Sequence, residues 1–238
     1  GIGNNTGFVG SCFMSHPGIE NVAEILKTEK KSFIDKYFKK KKYKVSFTTS
    51  LKERLESKIL RHNLSLKDIN NNLDQIFSKK NNCDPIPEKW NLTVGLEQLP
   101  RVTNNLKLSN IKDSLGMPKI DMYWDNLSKI EKDTVIKSVK IMARELGVIG
   151  AGKIRFKKEL LNGNSFNLND PINHHIGTTR MSDDPQTGVV DKNCKVFGIS
   201  NLYIASSSVF TTSSIVNPTF TIIALSLRLG KYIKNLEL

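Results

Sequence analysis

The sequence predicts an α+β fold built on a largely antiparallel sheet. Some segments alternate apolar and polar residues as strands do, and others space their apolar residues as helices do. The two kinds occur in blocks, without the regular βαβ alternation that a parallel sheet requires. The chain has 238 residues, of which 38% are apolar and 25% charged, so we expect a folded globular protein of one large domain or two small ones.

The strands predicted from alternation lie in the middle of the chain. Four segments show the pattern: 43–47, 92–97, 106–108 and 119–124. A turn at Gly116 and Pro118 separates the last two. Farther on, a polar turn at 182–185 leads into a stretch ending at 201–205 that we expect to be rich in β-structure.

Three segments are predicted to be helical. Residues 51–60 have helical spacing, and a long helix follows Ser128, an N-cap candidate with Glu131 as its capping-box partner and Gly147 as its stop. The last helix starts at Asn217 and Pro218. Apolar residues cover most of its circumference, so we expect it to be buried: Ile222, Ile223, Leu225, Leu227 and Leu229.

The glycine-rich segment 1–18 does not have the context of a dinucleotide-binding loop. Such a loop needs a strand before the glycines and a helix after them, with the pyrophosphate at the helix N-terminus. No strand pattern precedes Gly1 and Gly3. We therefore do not interpret these glycines as a phosphate loop.

The charge balance raises the question of nucleic-acid binding. The chain has 36 Lys and Arg against 23 Asp and Glu, a net charge of +13. The lysines are spread along the chain with one cluster at 39–42, which is typical of a solvated surface. We expect no nucleic-acid partner, and a basic nucleic-acid-binding protein remains an alternative.

Cysteine usage and hydropathy limit the class further. Cys12, Cys83 and Cys194 are too scattered for a disulfide framework or a zinc site, so we expect free thiols and no metal. No run of 18 apolar residues exists, and we expect no membrane span. We expect a cytoplasmic protein. Because the chain starts at Gly1 without a Met, a lost signal peptide and a periplasmic location stay open.

Two features near the carboxyl end are candidates for chemistry. One of the adjacent His174 and His175 could act as a general base, although a histidine in a loop also serves often as a hydrogen-bonded structural residue. Asn217 and Pro218 have an ordinary explanation as a helix N-cap and first turn. The same helix N-terminus could also stabilise an anion.

Several motifs, in order and at matching spacing, resemble the carboxyl-terminal region of the glucose-methanol-choline (GMC) oxidoreductase family. They are HHIGTTRM (174–181), GVVD (188–191), NLYIASSSVF (201–210) and NPT (217–219). Weaker likeness reaches upstream, at VG (9–10), HP (16–17), EQLP (97–100), LGMP (115–118) and Trp124. The resemblance covers nearly the whole chain and is dense only after residue 170.

The resemblance implies an FAD-dependent oxidation of an alcohol or sugar, by a dehydrogenase or an oxidase. In the family, a histidine at the position of His174 acts as base while the substrate carbon gives a hydride to flavin N5, and a partner at the position of Asn217 holds the substrate oxygen. The resemblance also implies a set of residues against the flavin: Ala205, Ser206, Ser207, Asn217, Pro218 and Thr219.

The resemblance implies a domain order as well. Residues 1–20 and 166–238 would belong to a flavin domain, with the catalytic residues in 166–238, and 21–165 would form an inserted substrate-binding domain. We expect residues 1–18 to pack near 166–238. The family's amino-terminal FAD-binding βαβ unit has no counterpart here, so the flavin domain would be incomplete and need that missing half as a partner. A catalytically inert remnant, or a partner subunit of the same fold, is the alternative.

Overall fold

The structure is a computed structural model that describes residues 2–27, 46–68, 89–125, 127–161, 166, 168 and 173–236. The chain divides into two compact units. The first unit comprises Gly1–His16, Glu97–Asn126 and Pro171–Leu238, and the second comprises Pro17–Leu96 and Leu127–Asp170. Residues 97–126 therefore lie in the first unit, whereas the division made from the sequence placed them in the middle section.

The second unit contains a five-stranded sheet in which every neighbouring pair is antiparallel. This confirms the predicted α+β class with a largely antiparallel sheet. Its strands are β1 (Gly18–Lys27), β2 (Ser46–Phe47), β3 (His62–Asp68), β4 (Lys89–Leu96) and β7 (Gly152–Phe156). Their spatial order is β2-β3-β4-β1-β7.

Sequence alternation identified only part of this sheet. The segment 92–97 falls on β4, and 43–47 overlaps β2, although 43–45 lie outside the described residues. β1, β3 and β7 were not predicted. β1 contains a bulge between Ile19 and Ala23, with Asn21 at a φ of 56°, which interrupts the period of two that sequence alternation relies on.

In its described residues, the second unit contains three helices: α1 (Leu51–Ser57), α2 (Lys129–Val148) and α3 (Lys158–Leu161). Ser50 caps α1 by accepting a hydrogen bond from the Glu53 amide at 3.2 Å. Ser128 occupies the N-cap position of α2 as predicted, and its amide donates to Glu131 Oε2 at 2.6 Å. The helix ends one residue beyond Gly147, which was the expected stop.

The core of the second unit lies between α2 and the sheet. The helix turns its apolar face inward, and β1 and β4 supply side chains from the other side. The buried residues include Val135, Val139, Met142, Ile25, Leu92 and Val94. Burying each such side chain contributes about 1.5–3 kcal/mol, so this layer stabilises the unit substantially.

The first unit contains the hairpin β5 (Asn105–Lys112) and β6 (Pro118–Tyr123), close to the predicted strands at 106–108 and 119–124. The stretch up to 205, expected to be rich in β-structure, makes isolated bridges instead, such as Val190 to Val196 and Lys195 to Tyr203. Of the segment 1–18 that was expected near 166–238, residues within 2–16 contact the carboxyl-terminal segment. Gly10 N donates to Thr178 O at 2.7 Å, and Met14 pairs with Ile176.

The last helix, α4 (Thr219–Lys234), differs from its prediction in two respects. It begins at Thr219 with Pro218 as the cap, so Asn217 is not the N-cap. The expectation of a buried helix is wrong: among its apolar side chains Leu229 is buried, whereas Phe220 and Leu227 are 83% and 71% exposed. Exposing apolar side chains to water is unfavourable, and none of the described residues covers this apolar face of α4.

Two further observations bear on the class of protein. In the described part of the chain, no helix has both the length and the apolar character needed to cross a membrane. Cys12 and Cys194 are buried free thiols, while Cys83 and the lysine cluster at 39–42 lie outside the described residues.

Candidate active site

His174 lies in a segment that the backbone of the first unit holds in place. Ile176 exchanges two backbone hydrogen bonds with Met14, at 2.9 and 3.0 Å. Gly177 has a φ of 95°, and a Cβ there would collide with the carbonyl oxygen of Cys12, so this close approach requires glycine. His174 itself has a φ of 60°, a conformation that costs energy outside glycine and that is often found at functional sites.

The side chain of His174 meets a second histidine. His174 Nδ1 lies 3.2 Å from His16 Nδ1, and the rings cross edge to face with centroids 5.0 Å apart. On its other side, His16 Nε2 lies 2.9 Å from the carbonyl oxygen of Ser213. The three residues form a hydrogen-bonded row although they come from distant parts of the chain.

The environment of His16 favours its neutral form. Burial lowers the pKa of His16 below the ordinary value for histidine, and His174 lowers it further. The hydrogen bond to the Ser213 carbonyl and the charge of Glu97 act in the opposite direction and only partly offset burial. His16 is therefore a neutral hydrogen-bonding residue at neutral pH.

The buried residue Gln98 holds Ser213, the far end of this row, in place. Gln98 and Ser213, 1% and 3% exposed, make two hydrogen bonds: Gln98 N donates to Ser213 Oγ, and Ser213 Oγ donates to Gln98 O, both at 3.0 Å. Gln98 Oε1 accepts from Ser15 N at 2.9 Å and from Trp124 Nε1 at 3.2 Å. Because Gln98 and Ser213 are buried and hydrogen-bonded to each other, the Ser213 carbonyl is held in one orientation.

Ser213 also lines a cleft of about 350 Å³ at the beginning of α4. Asn217 is among the residues around this cleft and is exposed. The other lining residues are Met181, Val209, Phe210, Thr211, Thr212, Ser214, Val216, Pro218, Thr221 and Leu225. The lining thus combines apolar side chains with hydroxyl and amide groups, a combination common in small-molecule sites.

The N-terminus of α4 adds an electrostatic element to the cleft. Pro218 caps the helix and its carbonyl accepts from Ile222 N at 2.9 Å. The amides of the first turn, Thr219 to Thr221, have no partner within the helix. Such amides and the helix dipole stabilise a nearby negative charge by about 0.3–1 kcal/mol at exposed sites.

The loop of Ala205, Ser206 and Ser207 lies beside the His174 segment. Ser206 Oγ accepts from Ser208 N at 3.2 Å and caps a short 3₁₀ turn at Ser207–Val209. Ser207 Oγ donates to the carbonyl of His175 at 2.8 Å, and Thr179 N donates to Ser208 O at 2.9 Å. Ala205 is exposed.

The structure brings the predicted residues together in two groups. Asn217 and Pro218 line the cleft, followed by Thr219 at the start of α4. His174 and the loop 205–207 form the other group, and His174 does not line the cleft. His16 and Ser213 join the two groups through two hydrogen bonds.

Sequence reasoning gave no role to the residues that join the groups. His16, Gln98 and Trp124 lie in motifs that carried the family resemblance, which was the available signal. Ser213 lay in a Ser/Thr-rich loop with no distinguishing pattern.

Among the described residues, no cluster of three or more His, Cys, Asp or Glu could hold a metal ion.

Comparison with protein families and curated sequences gives a consistent result. The family model described as GMC oxidoreductase matches residues 100–226, more than half of the chain. A 2-methyl-1,2-propanediol dehydrogenase from Mycolicibacterium austroafricanum is 33% identical over 144 residues, and the large subunit of a fructose dehydrogenase from Gluconobacter japonicus is 33% identical over 140. Each alignment covers 58% of this chain and 24% of the relative.

Solved structures share the fold. A formate oxidase variant from Aspergillus oryzae RIB40, studied for modification of its FAD, superposes with a TM-score of 0.55 at 15% identity, over 97% of this chain and 48% of the other. Pyridoxine 4-oxidase from Mesorbium loti gives a TM-score of 0.52 at 11% identity, over 97% and 44%. The chain therefore spans about half the length of the proteins that share its fold.

Proposed function

The chain belongs to the GMC oxidoreductase family, and from this premise we propose that it carries the catalytic residues of an FAD-dependent oxidoreductase acting on CH–OH groups. The observation that carries the proposal is the hydrogen-bonded row from His174 through His16 to Ser213, which ends on the wall of the cleft that Asn217 also lines. The names of two relatives, a diol dehydrogenase and a fructose dehydrogenase subunit, favour a small alcohol or sugar as substrate.

The roles of the two catalytic residues follow from the chemistry of alcohol oxidation. A carbon-bound hydrogen leaves with its electron pair readily only if the hydroxyl proton leaves too, so a base must lie within hydrogen-bond reach of that hydroxyl. We assign the base to His174 and the donor that holds the substrate oxygen to the side-chain amide of Asn217. Fixing the oxygen between two groups also aligns the reacting carbon.

Two groups of residues fit the ring end of FAD: the cleft at the start of α4, and the loop 205–207 beside the His174 segment. Helix-start amides beside the apolar side chains of the cleft suit a flat ring that gains negative charge. We propose that Ala205, Ser206, Ser207, Asn217, Pro218 and Thr219 hold it. When bound, FAD supplies the two-electron acceptor for the carbon-bound hydrogen.

The glycine-rich segment does not fit the dinucleotide end of FAD. A Cβ at Gly10 would collide with the carbonyl of Leu106, and Gly10 N donates to Thr178 O. Gly10 therefore allows two backbones to approach each other, and its amide is not available to a pyrophosphate. We therefore propose that the enzyme also needs an FAD-binding half, on the same polypeptide or on another.

The exposed face of α4 supports this partner. Phe220, Ile223 and Leu227 lie at helical spacing on one side and are 83%, 54% and 71% exposed. A contiguous apolar face of this kind is usually an interaction surface. The aligned structures are about twice as long as this chain, which supports an FAD-binding half as the occupant.

The test is to co-express the chain with an FAD-binding half from a full-length relative and record the flavin spectrum anaerobically. The proposal predicts a flavin absorbance that co-purifies with the chain and bleaches on addition of a small alcohol or sugar. A complex that binds flavin but is bleached by none of a broad set of alcohols and sugars would favour the inert-remnant alternative instead.

A further inference from the structure

The row of three residues restricts where protons can lie. The carbonyl oxygen of Ser213 can only accept a hydrogen bond, so His16 Nε2, at 2.9 Å, must carry the hydrogen. A neutral imidazole carries one hydrogen, and His16 Nδ1 is then an acceptor. His174 Nδ1, at 3.2 Å, must therefore be the donor in its bond to His16.

We propose that His16 is a positioning residue that holds His174 in the Nδ1–H tautomer, so that Nε2 of His174 keeps the lone pair and is the atom that accepts a proton. This inference rests on the proposed function, in which His174 is the base. It names the nitrogen that reacts and the residue that selects it. The logic is that of any base oriented by a third group.

The neutrality of His16 is needed for this arrangement. Burial lowers its pKa, and the titratable groups that face it are His174, which lowers the pKa further, and Glu97, which raises it. If His16 gained a second hydrogen, its Nδ1–H would point at the Nδ1–H of His174. His16 therefore resists a second proton, and Nε2 of His174 is left as the nitrogen with a free lone pair.

The positions of both histidines are fixed from outside the pair. The Ser213 carbonyl is held by two hydrogen bonds between Ser213 and Gln98. On the other side, Ser15 Oγ donates to the carbonyl of Asn173 at 2.9 Å, directly before His174. Hydrogen bonds from buried residues therefore hold the Ser213 carbonyl at one end of the row and the backbone before His174 at the other. Both rings are thus kept in the orientation that selects one tautomer.

The tautomers can be read directly by NMR on the full 238-residue chain labelled with ¹⁵N-histidine, without cofactor or substrate. Long-range ¹H–¹⁵N correlations at neutral pH should show His16 as the Nε2–H form and His174 as the Nδ1–H form. Finding His174 as Nε2–H in the wild-type chain would overturn the proposal. This readout does not depend on activity, so it separates failure of this inference from failure of the proposed function.

Two variants and one control sharpen the test. In His16→Ala, His174 should shift toward the Nε2–H form that a free side chain prefers, whereas His16→Gln should retain the wild-type tautomer because its amide can donate to Ser213 and accept from His174. The control His175→Gln, at an exposed neighbouring position, should change neither signal. An unchanged His174 tautomer in folded His16→Ala would contradict the proposal.

In the enzyme assembled with its FAD-binding half, His16→Ala and His16→Gln should differ in kcat. A positioning role predicts a loss on the order of 10–100-fold in kcat for His16→Ala with KM little changed, and substantial recovery in His16→Gln. Equal losses in both variants, or a loss confined to KM, would contradict it.

Discussion

His62, like His16, is a histidine whose burial works against its charged form. Its ring is fully buried in the second unit, and Nδ1 lies 3.0 Å from the carbonyl of Leu60. Nε2 is buried and has no hydrogen-bond partner among the described residues. Burial lowers the pKa of His62, the bond to Leu60 raises it, and Arg54 lowers it. A proton on Nε2 would therefore place a charged group where no acceptor is available.

This predicts that acid destabilises the fold through His62. The unfolded chain binds the proton near the ordinary histidine pKa, whereas the folded chain binds it only at lower pH, so stability is complete above the ordinary pKa and falls as pH drops through it. Urea unfolding at about pH 7.5 and about pH 5.5 should give a smaller unfolding free energy at the lower pH. His62→Gln should reduce this pH dependence without abolishing it, because His16 contributes in the same direction. An unaltered dependence in His62→Gln would contradict the account.

At the scale of elements, α4 combines a buried contact with an exposed apolar face. Leu229 packs into the first unit's core with Val190 and Val209, and it is 7% exposed. Leu227, two residues earlier, is 71% exposed. α4 thus carries two leucines in contrasting environments. Leu229 packs in the core of the first unit, and Leu227 lies on the exposed face that we propose binds a partner.

The pair gives a direct prediction. Leu229→Ala should lower the free energy of unfolding of the chain by about 2–5 kcal/mol, because it leaves a cavity in the core. Leu227→Ala should change it by less than about 0.5 kcal/mol, as surface substitutions do. Urea denaturation of the two variants measures both. Equal destabilisation would mean that the chain itself covers Leu227, and it would contradict the proposal that this face of α4 binds a partner.

The elements also show which local signals were sufficient. α2 was predictable because a capping residue, an acidic partner at Glu131 and a periodic apolar face coincide within one segment. The burial of α4 was not, because its exposed face depends on what packs against it and helical periodicity carries no information about a partner. β1 was missed because its bulge at Asn21 breaks the alternation that marks a strand.

At the scale of the whole molecule, the candidate site is assembled from contacts between distant positions. The motif resemblance singled out His174 and Asn217, and the chemistry of each residue type was readable from the sequence. The link between them was not, since it requires residues 16, 98 and 213 to meet, across separations of 115 and 197 residues between hydrogen-bonded partners. Only the fold brings these residues together.

The central claim is that His174 is the base, and the rate of flavin reduction tests it most directly. In the enzyme assembled with its FAD-binding half, His174→Ala should slow anaerobic stopped-flow reduction by about 10²–10⁴-fold, the usual contribution of a general base. His175→Ala is the matched control and should keep the wild-type rate. A wild-type reduction rate in a flavin-loaded His174→Ala enzyme would contradict the account.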